Sequence, residues 1–300
     1  VLGIPLDLDD PLVTQVLSPE GLERARLDLT MGPDEGSDAE DLAALVTRRL
    51  GREVLDTLVA PIAGGVHSAD PAELAVDTTI PGLRARLATA GSLTAAARAL
   101  RAQAPAGSIV SSVVGGLVRL PQALAADLEA RGGEVYTEML ATQITRDKDH
   151  WLVTVDNAVS PGEPHLPRRP LGQPATLRTE LLIVALDGRA ALDLLRPLPE
   201  LEMGDWQLPR GADLLSVDLA LDCPALDAAP RGSGLLVSLP GPGETPTVAC
   251  KAVTHYSVKW PWVRERGGHH VLRVSYGRAG VPTPEPNLAD TLADVATLLG

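Results

Sequence analysis

The stretch from Ile109 to Arg146 restricts the possible folds more than any other part of this 300-residue chain. An apolar run (Ile109, Val110, Val113, Val114) leads into Gly115-Gly116. Beyond Pro121, residues Leu124, Ala125 and Leu128 recur at spacings of three and four, which line one face of a helix. Pro121 suits a first helical turn, where its missing N–H costs nothing. Arg131-Gly132-Gly133 closes the segment, a cation at the negative helix end followed by residues that tolerate positive φ. Val135-Tyr136-Thr137 and Gln143-Ile144-Thr145 return to β chemistry. Strand, glycine turn, helix and strand in that order form a crossover of the kind that joins parallel strands. A sheet containing residues 109–114, 134–145 and the apolar run Leu181–Ala185, buried on both faces, is expected.

The spacing changes character at Pro105. Before it, the pattern is helical. Ser37 and Glu40 read as a capping box for a helix to Leu50, and Gly51 stops it. A second helix carries Val54, Leu55, Leu58, Val59 and Ile62, with Gly64-Gly65 as its break and 67–71 as a turn. Two more helices follow, around 83–87 and from a Ser92 cap to Ala104. After Leu214, four short β-like segments (214–221, 235–239, 248–252, 271–276) are separated by turn clusters, which predicts an antiparallel sheet. Residues 158–174 form a Pro/Gly-rich insertion, and Asn287–Leu299 is a final amphipathic helix.

The net charge of −13 argues against a nucleic-acid partner, because neutralising phosphates needs a clustered basic face. Phe is absent, so Leu, Val and Ala must fill the core. Cys223 and Cys250 have no ligand-like spacing and read as free thiols of a reducing compartment. No apolar run reaches bilayer length and no leader opens the chain, which starts at Val1. Cytoplasmic residence is the expectation.

The same residues carry a resemblance. Gly115-Gly116-Leu117, Leu120-Pro121, Ala123-Leu124-Ala125, then Gly132-Gly133 and Thr142-Gln143-Ile144, resemble the middle of flavin-dependent protoporphyrinogen and coproporphyrinogen III oxidases, a pattern shared with amine oxidases and carotene desaturases. Three further segments narrow it. Leu50-Gly51-Arg52-Glu53-Val54 followed by Pro61–Leu74 resembles the turn of the porphyrinogen oxidases, as does Gly91-Ser92-Leu93. Lys251–Pro261 and Leu272–Gly280 are similar to the strand-and-turn segments of actinobacterial-type members.

This resemblance implies a mixed α+β, α/β architecture, the interior of a two-dinucleotide-binding-type flavoprotein oxidase. A helical domain (1–105) would face substrate and, through peripheral contact, a membrane. Residues 106–200 would be part of the FAD-binding domain, and 201–300 a substrate-binding domain with an antiparallel sheet. FAD would take hydride from a porphyrinogen and pass electrons to oxygen or another acceptor. The family's opening G-x-G-x-x-G unit and closing flavin segment have no counterpart here, so the chain is expected to be the interior of a longer enzyme. Ile62, Gly65 and Val66 match positions that line the substrate pocket, and Ala141 matches a backbone amide near the flavin adenine. Other flavin oxidoreductases of the wider group, or a non-catalytic binding module, remain as alternatives.

No hydrolase or metalloprotease motif is present. His269 and His270, adjacent in sequence, read as surface loop residues. Gly65 serves equally well as a helix stop at positive φ. Lys259, Arg273 and Arg278 could pair with substrate carboxylates but read better as solvated or structural charges. Trp260-Pro261-Trp262 reads as a packed turn rather than a stacking platform.

Overall fold

The protein, seen in a computed structural model, is described here for residues 1–103, 110–159, 169–204, 208, 211–238, 245–278 and 281–300. Contacts group them into two compact units, Val1–Leu117 with Gly211–Gly300, and Val118–Arg210.

The first unit opens with the expected helical block. It contains α1 (Pro11–Val16), α2 (Pro19–Arg26), α3 (Leu42–Leu50), α4 (Arg52–Val54), α5 (Ala60–His67), α6 (Val76–Thr79), α7 (Leu83–Ala90) and α8 (Leu93–Gln103). A π turn, Leu55–Val59, joins α4 to α5. Leu42, Leu45, Val46, Leu50, Val54, Val59, Leu83, Leu87 and Leu93 form the core of this block. One expected boundary shifts. Asp41, not Ser37, caps α3, its carboxylate accepting from the Ala44 N–H at 2.7 Å. Ser92 caps α8 as expected, accepting from Ala95 N–H.

The same unit carries a four-stranded antiparallel sheet in the order β5 (Leu215–Leu221), β8 (His270–Tyr276), β7 (Ala252–His255), β6 (Gly234–Leu236). The expected sheet after Leu214 is present, with its third strand displaced from 248–252 to 252–255. Two short helices, α11 (Tyr256–Lys259) and α12 (Pro261–Gly267), connect β7 to β8. The final helix, α13 (Leu288–Leu299), starts at an Asn287–Asp290 capping box. Leu272, Val274 and Tyr276 from alternate positions of β8 are fully buried in this second core.

The second unit contains α9 (Arg119–Ala130), β1 (Met139–Asp147), β2 (His150–Val159), β3 (Arg169–Pro170), β4 (Ala175–Thr179) and α10 (Gly188–Leu195). Helix α9 ends at Arg131-Gly132-Gly133 as expected, with Gly132 at φ +87°. The expected parallel crossover is not formed. Every strand pairing among the described residues is antiparallel, and residues 110–114 and 134–137 lie outside every strand. Residues 181–185 form no strand and alternate in burial: Leu182 and Val184 pack against the cluster of Ile144, Val153, Val155 and Leu198 while Leu181 and Ile183 are exposed. A strand is buried on both faces only within a sheet covered by a layer on each side, and no described strand pairs with this run. Most of the Pro/Gly-rich insertion lies outside the described residues.

Candidate functional site

Helix α5 carries the three residues singled out for substrate. Gly64-Gly65 does not break it: the helix runs to His67, and Ser68 makes the left-handed turn at φ 54°, its N–H donating to the Gly64 carbonyl at 2.9 Å. Gly65 is not among the residues at positive φ. Its lack of a side chain answers a close approach instead. A Cβ at Gly65 would lie 2.8 Å from Leu236 Cδ2 on β6, well inside van der Waals contact. Ile62 and Val66, one turn apart, remain 37% and 61% exposed, and Leu236 is 40% exposed. Gly65 thus lies beneath Leu236, which with Ile62 and Val66 makes an apolar, solvent-facing patch. The π turn just before α5 is a feature that recurs near functional sites.

At the far end of β7, Lys251 is 5% exposed and its ammonium donates to Ser68 Oγ. Arg278, two residues past β8, donates to the Val237 carbonyl at 2.8 Å. Burial, reinforced by Arg278, pulls the Lys251 ammonium below its ordinary pKa, and burial does the same to Arg278. A cavity of about 350 Å³ has Arg278, Ser68 and Gly64 among its lining residues. Of the other cations weighed against carboxylates, Arg273 is engaged by Asp218 at 2.8 and 2.9 Å and covers the Tyr256 ring, and Lys259 covers Trp260.

At the opposite end of β7 the structure corrects the reading of His270. It is 3% exposed, whereas His269 faces solvent. His270 Nδ1 lies 3.0 Å from His255 Nε2 and 3.2 Å from Ser257 Oγ, and its Nε2 lies 3.2 Å from Asp227 and 2.7 Å from Arg264. Arg264 also pairs with Asp227. Period-2 alternation along β8 points inward at Leu272, Val274 and Tyr276, and the same parity includes position 270. The signal was present, and adjacency to His269 obscured it. No group of three or more metal-capable side chains is formed among the described residues. Both cysteines are free, and burial with Asp294 nearby pushes the Cys250 thiol up to about 12.

Ala141 lies in the second unit on β1, opposite Val155. The ladder skips Thr142 before resuming at Gln143 opposite Thr154. Such a bulge leaves the inserted residue outside the cross-strand pairing, so an irregular backbone segment lies beside Ala141. In this one respect the strand suits a backbone contact to a ligand. No helix among the described residues is long and apolar enough to cross a membrane.

This combination, a helical block and an antiparallel sheet in one unit with a mixed second unit, has a solved counterpart. The chain superposes over its whole length, with a TM-score of 0.70 and 23% identity, on the crystal structure of an Exiguobacterium protein provisionally named protoporphyrinogen oxidase, and covers 60% of it. It is 34% identical over 94 residues to coproporphyrinogen III oxidase of Staphylococcus aureus, covering 31% of this chain and 20% of that enzyme. It is 23% identical over 285 residues to coproporphyrinogen III oxidase of Bacillus subtilis, covering 93% and 56%. No family model matches. The resemblance to porphyrinogen oxidases carried by the sequence motifs is borne out by these likenesses. The chain spans 60% or less of the length of each of these relatives.

Proposed function

We propose that this chain is the helical and substrate-binding interior of an FAD-dependent oxidase that converts a porphyrinogen, coproporphyrinogen III or protoporphyrinogen IX, to the porphyrin in haem synthesis. The observation that carries the reading is the exposed apolar face formed where Ile62 and Val66 of α5 meet Leu236 of β6 over Gly65. A flat macrocycle packs its faces on such aliphatic side chains, and the missing side chain at Gly65 lets Leu236 of β6 approach α5 to complete the face. Bound FAD would supply the hydride acceptor and hand electrons on to oxygen or another acceptor. The residues of α5 and β6 would orient the macrocycle and exclude water from it. The backbone at Ala141, beside the bulge, would touch the adenine end of the cofactor.

In this arrangement residues 1–105 face substrate, 106–200 contribute to the flavin-binding domain and 201–300 carry the substrate sheet. The enzyme would act in the cytoplasm. Leu12 and Val16, one turn apart on α1, are exposed together with Leu27 and Leu29, which suits peripheral contact with a membrane. The test is direct. The intact protein, reconstituted with FAD, is given each porphyrinogen in air, and porphyrin fluorescence is followed. Flavin-dependent appearance of porphyrin is expected. A flavin-loaded protein that oxidises neither porphyrinogen would overturn the reading.

A further inference from the structure

We infer that the cavity between α5 and the end of β8 is a carboxylate subsite, built from the Arg278 guanidinium and the Ser68 hydroxyl, that takes one propionate arm of the porphyrinogen. The inference rests on the proposed substrate and adds the residues that would recognise its charge. Lys251 and Arg278 are two cations in one buried region, and among the described residues no ion pair with a carboxylate joins either of them. Burying like charges without a counterion is unfavourable unless an anion completes the site.

The donor geometry supports this. Ser68 Oγ accepts a hydrogen bond from the Lys251 ammonium, so its own O–H is available to donate into the cavity it lines. Arg278 commits one N–H to the Val237 carbonyl and keeps other donors of its fork. Beside the Arg52–Asp56 pair and Asp70, the rest of the wall is apolar, with Ala60, Gly64 and Pro71 among it, which matches the two methylenes of a propionate better than a bare inorganic anion. Two carboxylates also line the cavity and are already engaged. Asp56 is paired with Arg52 at 2.7 Å, and Asp70 accepts from the Ala72 N–H at 2.8 Å. Lys251 is a positioning residue, acting through Ser68. The volume, about 350 Å³, suits a side arm.

The test compares a porphyrinogen bearing free propionates with its methyl ester, using the intact flavin-loaded protein. Arg278→Met should raise KM for the free acid about tenfold or more, the loss of one charge-assisted contact, with kcat nearly unchanged and no effect on the ester. Arg278→Lys should recover part of the loss. Lys251→Met should raise KM less, and its effect should vanish in a Ser68→Ala background. Unchanged KM in Arg278→Met, or an equal rise with the ester, overturns the subsite while leaving the oxidase reading intact. If the wild type oxidises neither porphyrinogen, that reading fails on its own. The cavity is then judged by melting temperature with added propionate: a stabilisation lost in Arg278→Met supports the carboxylate site, and no stabilisation overturns it.

Discussion

Arg49 Nε lies 2.6 Å from Asp28 Oδ1, and both side chains are completely removed from solvent. Arg49 also donates to the carbonyls of Gly32, Asp28 and Gly91, while the Asp28 carboxylate accepts the Leu93 and Thr94 N–H groups at 3.0 Å each. The pair therefore ties α3 to the start of α8 and satisfies orphan donors there. Removing one member strands the other charge in the core. Arg49→Met should lower unfolding free energy by about 3–5 kcal/mol, and Arg49→Lys should recover only part, because an ammonium lacks the fork. Urea unfolding followed by circular dichroism measures both. A loss below about 1 kcal/mol, the scale of an exposed pair, would contradict the buried network.

The buried imidazole of His255 makes stability depend on pH. Burial first, then His270 and Arg264, holds its pKa below the ordinary 6.5. His270 faces it directly, and Ser257, Arg264 and Asp227 surround His270 in turn. The unfolded chain takes up this proton near pH 6.5 and the folded chain resists it, so protons favour unfolding as pH falls below that value. Stability present above pH 6.5 should decline in this window, before Glu53, Asp218 and Asp227, whose depressed values carry stability lost at lower pH, begin to protonate. His255→Gln should flatten the profile between these ranges. A melting-temperature series across pH in both proteins checks it, and parallel profiles would assign the dependence elsewhere.

The pyrophosphate of a flavin is held by a glycine turn opening a helix N-terminus. The turn at Gly115-Gly116, both at positive φ, precedes α9, yet Val118 at its N-cap makes no capping contact and residues 110–114 form no strand. The 300-residue chain, purified by itself, should therefore carry substoichiometric FAD. Absorbance near the flavin bands against protein concentration measures it, and a yellow protein with one FAD per chain would refute the expectation.

What was legible in the sequence was local. Ser92 announced α8 because a cap is decided within three residues, the amphipathic spacing of 287–299 announced α13, and the β-like run 271–276 announced β8. Pairing is not local. Ile109–Arg146 has the order of a crossover, but whether its apolar runs become parallel strands depends on ladder partners remote in sequence, and the described strands pair antiparallel instead. The side-chain contacts show the same division. Gly65 stands out in the sequence only as half of a glycine pair, whereas its approach to Leu236 and the Lys251–Ser68 contact, 183 positions apart, join segments remote in sequence. His270 was misread because its neighbour His269 is exposed, although strand parity alone places it inside.

The closing prediction concerns the reason for glycine at position 65. A stop at positive φ is ruled out by its place inside α5, so asparagine offers no special rescue there. Contact with Leu236 remains, and it yields a distinct pattern. In Gly65→Ala the new Cβ would meet Leu236 Cδ2, the end of a flexible side chain. Overpacking of this kind costs up to about 1–3 kcal/mol, and Leu236→Ala should relieve most of it in the double variant. A pure packing role then predicts that the relieved protein regains both stability and turnover. If a macrocycle lies on Gly65, the double variant should regain stability and flavin content yet keep a raised KM for porphyrinogen. Gly65→Leu, which fills more of the same space, should abolish turnover. Melting temperature, bound FAD and steady-state kinetics on the three variants separate the outcomes. Full recovery of KM in Gly65→Ala/Leu236→Ala, together with normal kinetics in Gly65→Leu, would remove Gly65 from the substrate site.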